Sequence, residues 1–189
     1  DVLEDIKGGA ERQVYEILKH HDRSKFDITI VVVHQKDLPD EIKDLPVHYR
    51  CLNIKKIYDK TGIKKGLDFV KLLKKKKIDV LMTYHFAADI WGTVFGHFAK
   101  VPVIISNRRD VGFWRNLGHV LAYRFVNRWV DQIIVVSEAV KKVVVKKEKV
   151  HSDKIKVFYN GVDLTRFKKA VDKKSKKEEL NIPVAHTKI

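Results

Sequence analysis

The sequence predicts an α/β fold: an open, mostly parallel sheet with helices on both faces. Three observations carry this. Short apolar runs rich in Val and Ile alternate with helical patterns along the chain. The runs are nearly continuous in hydrophobicity, as in strands buried on both faces. Polar residues then collect directly after the runs, the edge at which open parallel sheets hold ligands.

The first helical pattern covers residues 10–21 and places Val14, Ile17, Leu18 and His21 on one face. A strand is expected before it; only residues 1–7 precede Gly8, and Val2-Leu3 reads as its remnant. Residues 26–34 (FDITIVVVH) form a β-branched run and predict a buried strand; residues 47–52 predict a weaker one. A helix over 64–76 brings Leu67, Val70 and Leu73 together. Strands follow at 78–83, 102–106, 132–136 and 155–158, separated by helices at 87–99, 115–130 and 138–149. Residues 1–167 thus read as one domain. Residues 168–189 read as a charged connector and the first strand of a second domain.

Composition narrows the function classes. At 189 residues with 44% hydrophobic content, the chain can bury a sizeable core. Its single cysteine, Cys51, excludes an internal disulfide framework and points to a reducing, cytoplasmic setting. The formal charge of +15 favours anionic partners: nucleic acid, phosphorylated ligands or an acidic membrane leaflet. The simpler explanation is lysine-rich helix faces that keep the protein soluble, since the lysines at 74–77, 141–149 and 168–177 fall near predicted helix ends. That scatter argues against a nucleic-acid groove, which would gather its cations beside exposed aromatics.

Several residues could carry chemistry. Gly8 and Gly9 stand before a helix, where bare backbone and free N–H groups can admit a phosphate, although such a pair is more often a tight turn. His85 follows a strand and could act as a base on an acceptor hydroxyl, or could make a local bond at a helix entry. Asn107, Arg108 and Arg109 could hold an acceptor or neutralise a diphosphate; the arginines could instead be a surface pair bridged to Asp110. Asp110 could deprotonate an acceptor hydroxyl or serve as a loop cap. Ser137 stands before Glu138 as a helix N-cap. Leu117, Leu121, Phe125 and Trp129 form a stripe flanked by Arg124 and Arg128, expected to face the core, or alternatively a membrane interface. No Asp-x-Asp, H-E-x-x-H, CxxC, G-x-S-x-G or P-loop occurs, and the nine histidines show no ligand spacing beyond His20-His21. No metal and no cofactor are expected.

The ordered set GGAERQVYEIL, FDITIVVV, IDVLMTYHFAADIWG, VPVIISNRRDVGFW, DQIIVVSEAVKK and KIKVFYNGVDLTRF resembles the N-terminal, acceptor-side domain of glycosyltransferase family 4. The resemblance implies a Rossmann-like domain, one half of a two-domain GT-B enzyme that transfers a sugar with retention from a nucleotide sugar to a glycan or lipid-linked acceptor, without bound metal. It implies that Gly8 and Gly9 face the donor diphosphate. His85 and the loop from Arg108 to Asp110 would line the acceptor side. Asn160, Gly161 and Asp163 would lie near the hinge, with Ser137 at the cleft. The expected location is cytoplasmic, and the net charge and the stripe also allow a peripheral position on the cytoplasmic membrane face. Two features depart from the family pattern: many relatives carry a histidine where this chain has its Arg-Arg-Asp loop, and no two glutamates here stand eight positions apart, as in the family's donor-binding domain. The chain alone is therefore expected not to turn over. The alternative reading is a non-catalytic domain of this fold that binds an anionic ligand or a membrane surface.

Overall fold

The computed structural model of the chain describes residues 8–35, 37–161 and 179. Its elements run α1 (Gly9–His20), β1 (Thr29–Val32), α2 (Asp40–Lys43), β2 (His48–Cys51), α3 (Lys60–Lys75), β3 (Val80–Tyr84), α4 (Phe86–Ala99), β4 (Val103–Arg108), α5 (Leu117–Val126), β5 (Gln132–Val135), α6 (Glu138–Val143) and β6 (Ile155–Val157). A π-helical turn, Val144–Glu148, extends α6. Every ladder is parallel: β1 pairs with β2, and β3-β4-β5-β6 form a four-stranded sheet in that order. The expected α/β architecture is present, with the strands in two ladders. The strand anticipated at Val2-Leu3, the connector and the second-domain strand all lie outside the described residues.

β1 shows why its sequence is uniformly apolar. Ile30 and Val32 join Leu18 and Ile42 in a core under α1 and α2. Val31 and Val33 point the other way and join Leu52, Phe69, Trp91 and Phe95 in a core with α3 and α4. The four-stranded sheet has a third core. Ile104, Ile133, Val135 and Ile155 lie on one face against Val140 and Val144. On its other face Val80, Met82 and Val103 stay exposed.

Several helices differ from their sequence expectation for identifiable reasons. α3 starts at Lys60 rather than 64 because the Asp59 carboxylate accepts from Gly62 N–H at 2.6 Å. Its buried face is Gly62, Gly66, Phe69 and Leu73, and Leu67 is exposed. Gly66 is required there, since a Cβ would run into the Phe95 ring. α5 is shorter than 115–130 because Asn116 and His119 form a capping box that fixes its start. Its buried residues are Tyr123 and Val126. Leu117, Leu121 and Phe125 face outward, contrary to the core expectation, because Tyr123 on the opposite face is drawn inward by Asp89. Trp129 is partly buried and stacks on His97 with ring centroids 4.7 Å apart.

Candidate functional site

The C-terminal edge of β3 and β4 carries the two features that matter: a buried ionic network and an open cavity beside it. The network begins with β4. Strand alternation puts Ser106 and Arg108 on the face that meets α4, and both are buried. Arg108 pairs with Asp89 at 2.8 Å and with Glu148 at 3.2 Å. It also donates to Asn127 and lies over the Tyr123 ring at 3.8 Å. Burial opposes its charge, but Asp89 and Glu148 outweigh that and hold the guanidinium more firmly protonated than usual. Asp89 in turn accepts from Thr83, Ser106 and Tyr123. Burial, then Asp89, pushes the Tyr123 phenol above its usual range.

This placement corrects the sequence expectation for Arg108. Its side chain is fully enclosed and committed to two carboxylates, so it is neither a phosphate ligand nor a surface partner of Asp110. Arg115 takes the latter place. It reaches Asp110 at 3.3 Å and Glu148 at 2.9 Å.

The cavity is about 320 Å³ and is lined by residues from five segments. Glu11 comes from the first turn of α1, His85 and Phe86 from the entry to α4, Asn107, Arg109 and Asp110 from the end of β4 and just past it, Trp114 and Arg115 from the loop before α5, and Tyr123 from α5. His85 sits at φ 68°, the left-handed region, as the residue between β3 and α4. Its Nε2 is 3.6 Å from Glu11 Oε1. Burial lowers the imidazole pKa below its usual value while the Glu11 carboxylate opposes the shift, so a neutral ring is favoured at neutral pH.

Arg109 extends past the sheet edge into this cavity and donates to Asn160 Oδ1 at 3.0 Å. Asn107 is buried, with its amide donating to Thr83 O at 3.0 Å, and contributes to the wall. Asp110 is exposed. Its Oδ1 accepts from Gly112 N–H and from Arg115, and among the described residues its Oδ2 carries no hydrogen bond. Trp114 packs edge-on to Phe86 with centroids 5.7 Å apart and supplies an aromatic wall.

The remaining sequence candidates do not line this cavity. Gly8 is the N-cap of α1 and Gly9 its first residue; a Cβ on Gly9 would meet nothing within 4 Å, so the backbone there is open to approach. Ser137 caps α6, accepting from Val140 N–H at 3.3 Å. Asn160 touches the site only through Arg109, Gly161 is exposed, and Asp163 lies outside the described residues. Sequence reasoning missed Glu11, Phe86, Trp114, Arg115 and Tyr123 as lining residues. Glu11 was legible as an acid in a helix first turn, but its facing His85 depends on tertiary packing. Its carboxylate also lies over Gly8, where a Cβ would collide with it. Among the described residues no group of three or more His, Cys, Asp or Glu is placed to hold a metal, and no helix is long and apolar enough to cross a membrane.

Three comparisons bear on this site. The sequence pattern of Glycosyltransferase Family 4 matches residues 7–166. The UDP-Gal:alpha-D-GlcNAc-diphosphoundecaprenol alpha-1,3-galactosyltransferase of Escherichia coli is 28% identical over 188 residues, covering 93% of this chain and 47% of that protein. Anabaena Alr3699/HepE, solved in complex with UDP and glucose, superposes with a TM-score of 0.69 at 18% identity over 94% of this chain and 48% of its own. A glycosyltransferase from Rickettsia africae gives 0.68 at 17% identity, over 96% and 48%. The chain spans about half the length of the relatives it matches.

Proposed function

The chain belongs to glycosyltransferase family 4, and from that premise we propose that it is the acceptor-side half of a retaining enzyme that moves a sugar from a nucleotide sugar to a glycan or lipid-linked acceptor. A donor-binding domain completes the site, and the chain alone does not turn over. One observation carries the reading: a half-buried His85 whose burial favours the neutral ring, an Asp110 carboxylate with one oxygen unbonded among the described residues, the Arg109 cation and the Trp114 ring line one cavity at the sheet edge. An acceptor sugar stacks on Trp114. Asp110 Oδ2 or His85 takes the proton from its attacking hydroxyl. Arg109 balances phosphate charge on either substrate. The negative charge that develops on the departing nucleotide diphosphate is met by Arg109 and the N-terminus of α1, a reading that calls for no metal. The E. coli relative's name specifies UDP-galactose and a diphosphoundecaprenol-linked sugar, which makes that pair the first substrates to try.

The donor diphosphate approaches the N-terminus of α1 at Gly8 and Gly9, where no side-chain cap answers the first-turn N–H groups among the described residues and the helix dipole favours an anion. Glu11 must swing off Gly8 to admit it. Gly9→Val is the clean probe, because open space surrounds that position and the change imposes no packing clash. The test is a nucleotide-sugar transfer assay on the protein carrying both domains. Asp110→Asn is expected to lower kcat about 100-fold, and Gly9→Val to raise the donor KM. Full activity in both variants would sink the assignment.

A further inference from the structure

We propose that the outer face of α5, with the loop before it, is a docking surface for a bilayer containing anionic lipid. Leu117, Leu121 and Phe125 recur at four-residue spacing on one side of the helix, and their exposures are 72%, 51% and 49%. Phe113, 94% exposed, and half-exposed Trp114 stand in the loop just before the helix start. At the far end Phe125 packs edge-on to Trp129, with centroids 5.0 Å apart. Isolated apolar residues are ordinary on a protein surface, but a continuous row of this kind marks an interaction site.

Charge selects the occupant. Residues 111–130 contain no Asp or Glu and carry Arg115, Arg124 and Arg128. Arg124 donates from Nε to Lys147 O, and Arg128 from Nε to Phe125 O. Neither arginine is in an ion pair among the described residues. Those backbone bonds fix each guanidinium beside the stripe and leave its terminal N–H groups for phosphates. Exposed Lys146 and Lys147 join them through the Arg124 contact. An apolar stripe bordered by uncompensated cations suits a headgroup interface better than a protein partner, which would leave those cations unmatched unless it were acidic. The helix is about 15 Å long at 1.5 Å per residue, so it lies in the interface plane and does not cross it.

Trp114 belongs both to this face and to the wall of the His85 cavity. Docking therefore holds the cavity mouth at headgroup depth, which on the sugar-transfer reading is where a lipid-linked acceptor presents its sugar. The docking itself rests on the surface alone and fails or stands independently of that reading.

Co-sedimentation with vesicles of phosphatidylcholine carrying about 30% phosphatidylglycerol, at about 0.15 M salt, tests it. Wild type is expected to bind these vesicles and to bind pure phosphatidylcholine at least about tenfold more weakly. L117S/L121S/F125S leaves net charge unchanged and is expected to lose about tenfold or more in binding. K71S/K74S/K75S, on the outer side of α3, removes three charges and is expected to lose less than about threefold. Phe113→Ser, in a loop, repeats the stripe test should the triple variant fold poorly by circular dichroism. Absence of vesicle binding by wild type overturns the proposal. So does a greater loss in the α3 variant than in the stripe variants, which would make adsorption a general cation effect. A change of solution mass in the stripe variants, seen by light scattering, would also overturn it, because the face would then bind a second copy.

Discussion

Two charged regions meet at the end of β4, and the adjacent residues Arg108 and Arg109 divide them. Arg108 turns to the helix-covered face, where two guanidiniums, its own and that of Arg115, stand against the carboxylates of Asp89 and Glu148. Arg109 leaves the sheet edge and meets a cavity and one amide oxygen. The charges inside balance, because an isolated ion in a dry interior costs many kcal/mol. Those at the edge do not, because solvent or a ligand can answer them. Position on the pleat, rather than residue type, decides which arginine holds the fold and which is open to substrate. Arg115 and Gly112 are the link: the same arginine that contacts Glu148 inside also holds Asp110 at the cavity rim.

The sharpest way to break this contrast is Arg108→Met. It leaves two buried carboxylates short of a partner and is expected to cost about 3–5 kcal/mol of stability, read as a lower urea midpoint. A loss under about 1 kcal/mol would mean that the network behaves like a surface pair. Gly112→Ala strikes the link. Gly112 has φ 64°, and an added Cβ would meet Arg115 Cδ and Nε at 2.5 Å. The strain and the clash together are expected to cost about 1–3 kcal/mol. Transfer activity should fall with it, since the Asp110 carboxylate loses both the Gly112 N–H and Arg115 geometry. Unchanged urea midpoint and unchanged turnover would show that the loop adapts freely.

Arg109→Met sharpens the other side. Its stability change is expected within about 0.5 kcal/mol, while KM for the phosphate-bearing substrate rises about tenfold. A large stability loss without a KM effect would place Arg109 with Arg108 and erase the division.

The strands were legible because their β-branched runs report burial directly, and each of the six expected from residue 26 onward exists, four of them trimmed within their expected bounds while β3 and β4 run on to Tyr84 and Arg108. Helix faces were read less well. In α5 the apolar stripe suggested a core-facing surface, yet Tyr123 and Val126 are the buried side, because a phenol reaching Asp89 outweighs the packing of three aliphatic or aromatic groups left outside. In the site, His85, Asn107, Arg109 and Asp110 were found from their place after strands, and all four line the cavity. The apolar run ends at 106, whereas β4 continues to Arg108, and it is the strand alternation over those last residues that turns the Arg108 side chain inward. Asp89 and Glu148 could not have been matched to it: they stand 19 and 40 positions away, and only the fold brings them together.

The smallest expected effect concerns Glu11, which couples the cavity to α1. Burial depresses the His85 pKa and the Glu11 carboxylate, 3.6 Å away, partly restores it. Glu11→Gln removes the restoring charge, so the imidazole pKa should fall further, and a titration of the His85 ring proton by NMR reads the shift directly. The unfolded reference is about 6.5, above the folded value, so the unfolded chain binds more protons in the interval between them. The stability tied to a neutral His85 is accordingly complete above about 6.5 and is lost as pH falls toward the depressed folded value. In Glu11→Gln that loss should extend to lower pH. The base form of His85 should persist there too, moving the acidic limb of kcat/KM downward. A ring pKa that stays put or rises would separate Glu11 from His85 and leave the carboxylate only its position over Gly8.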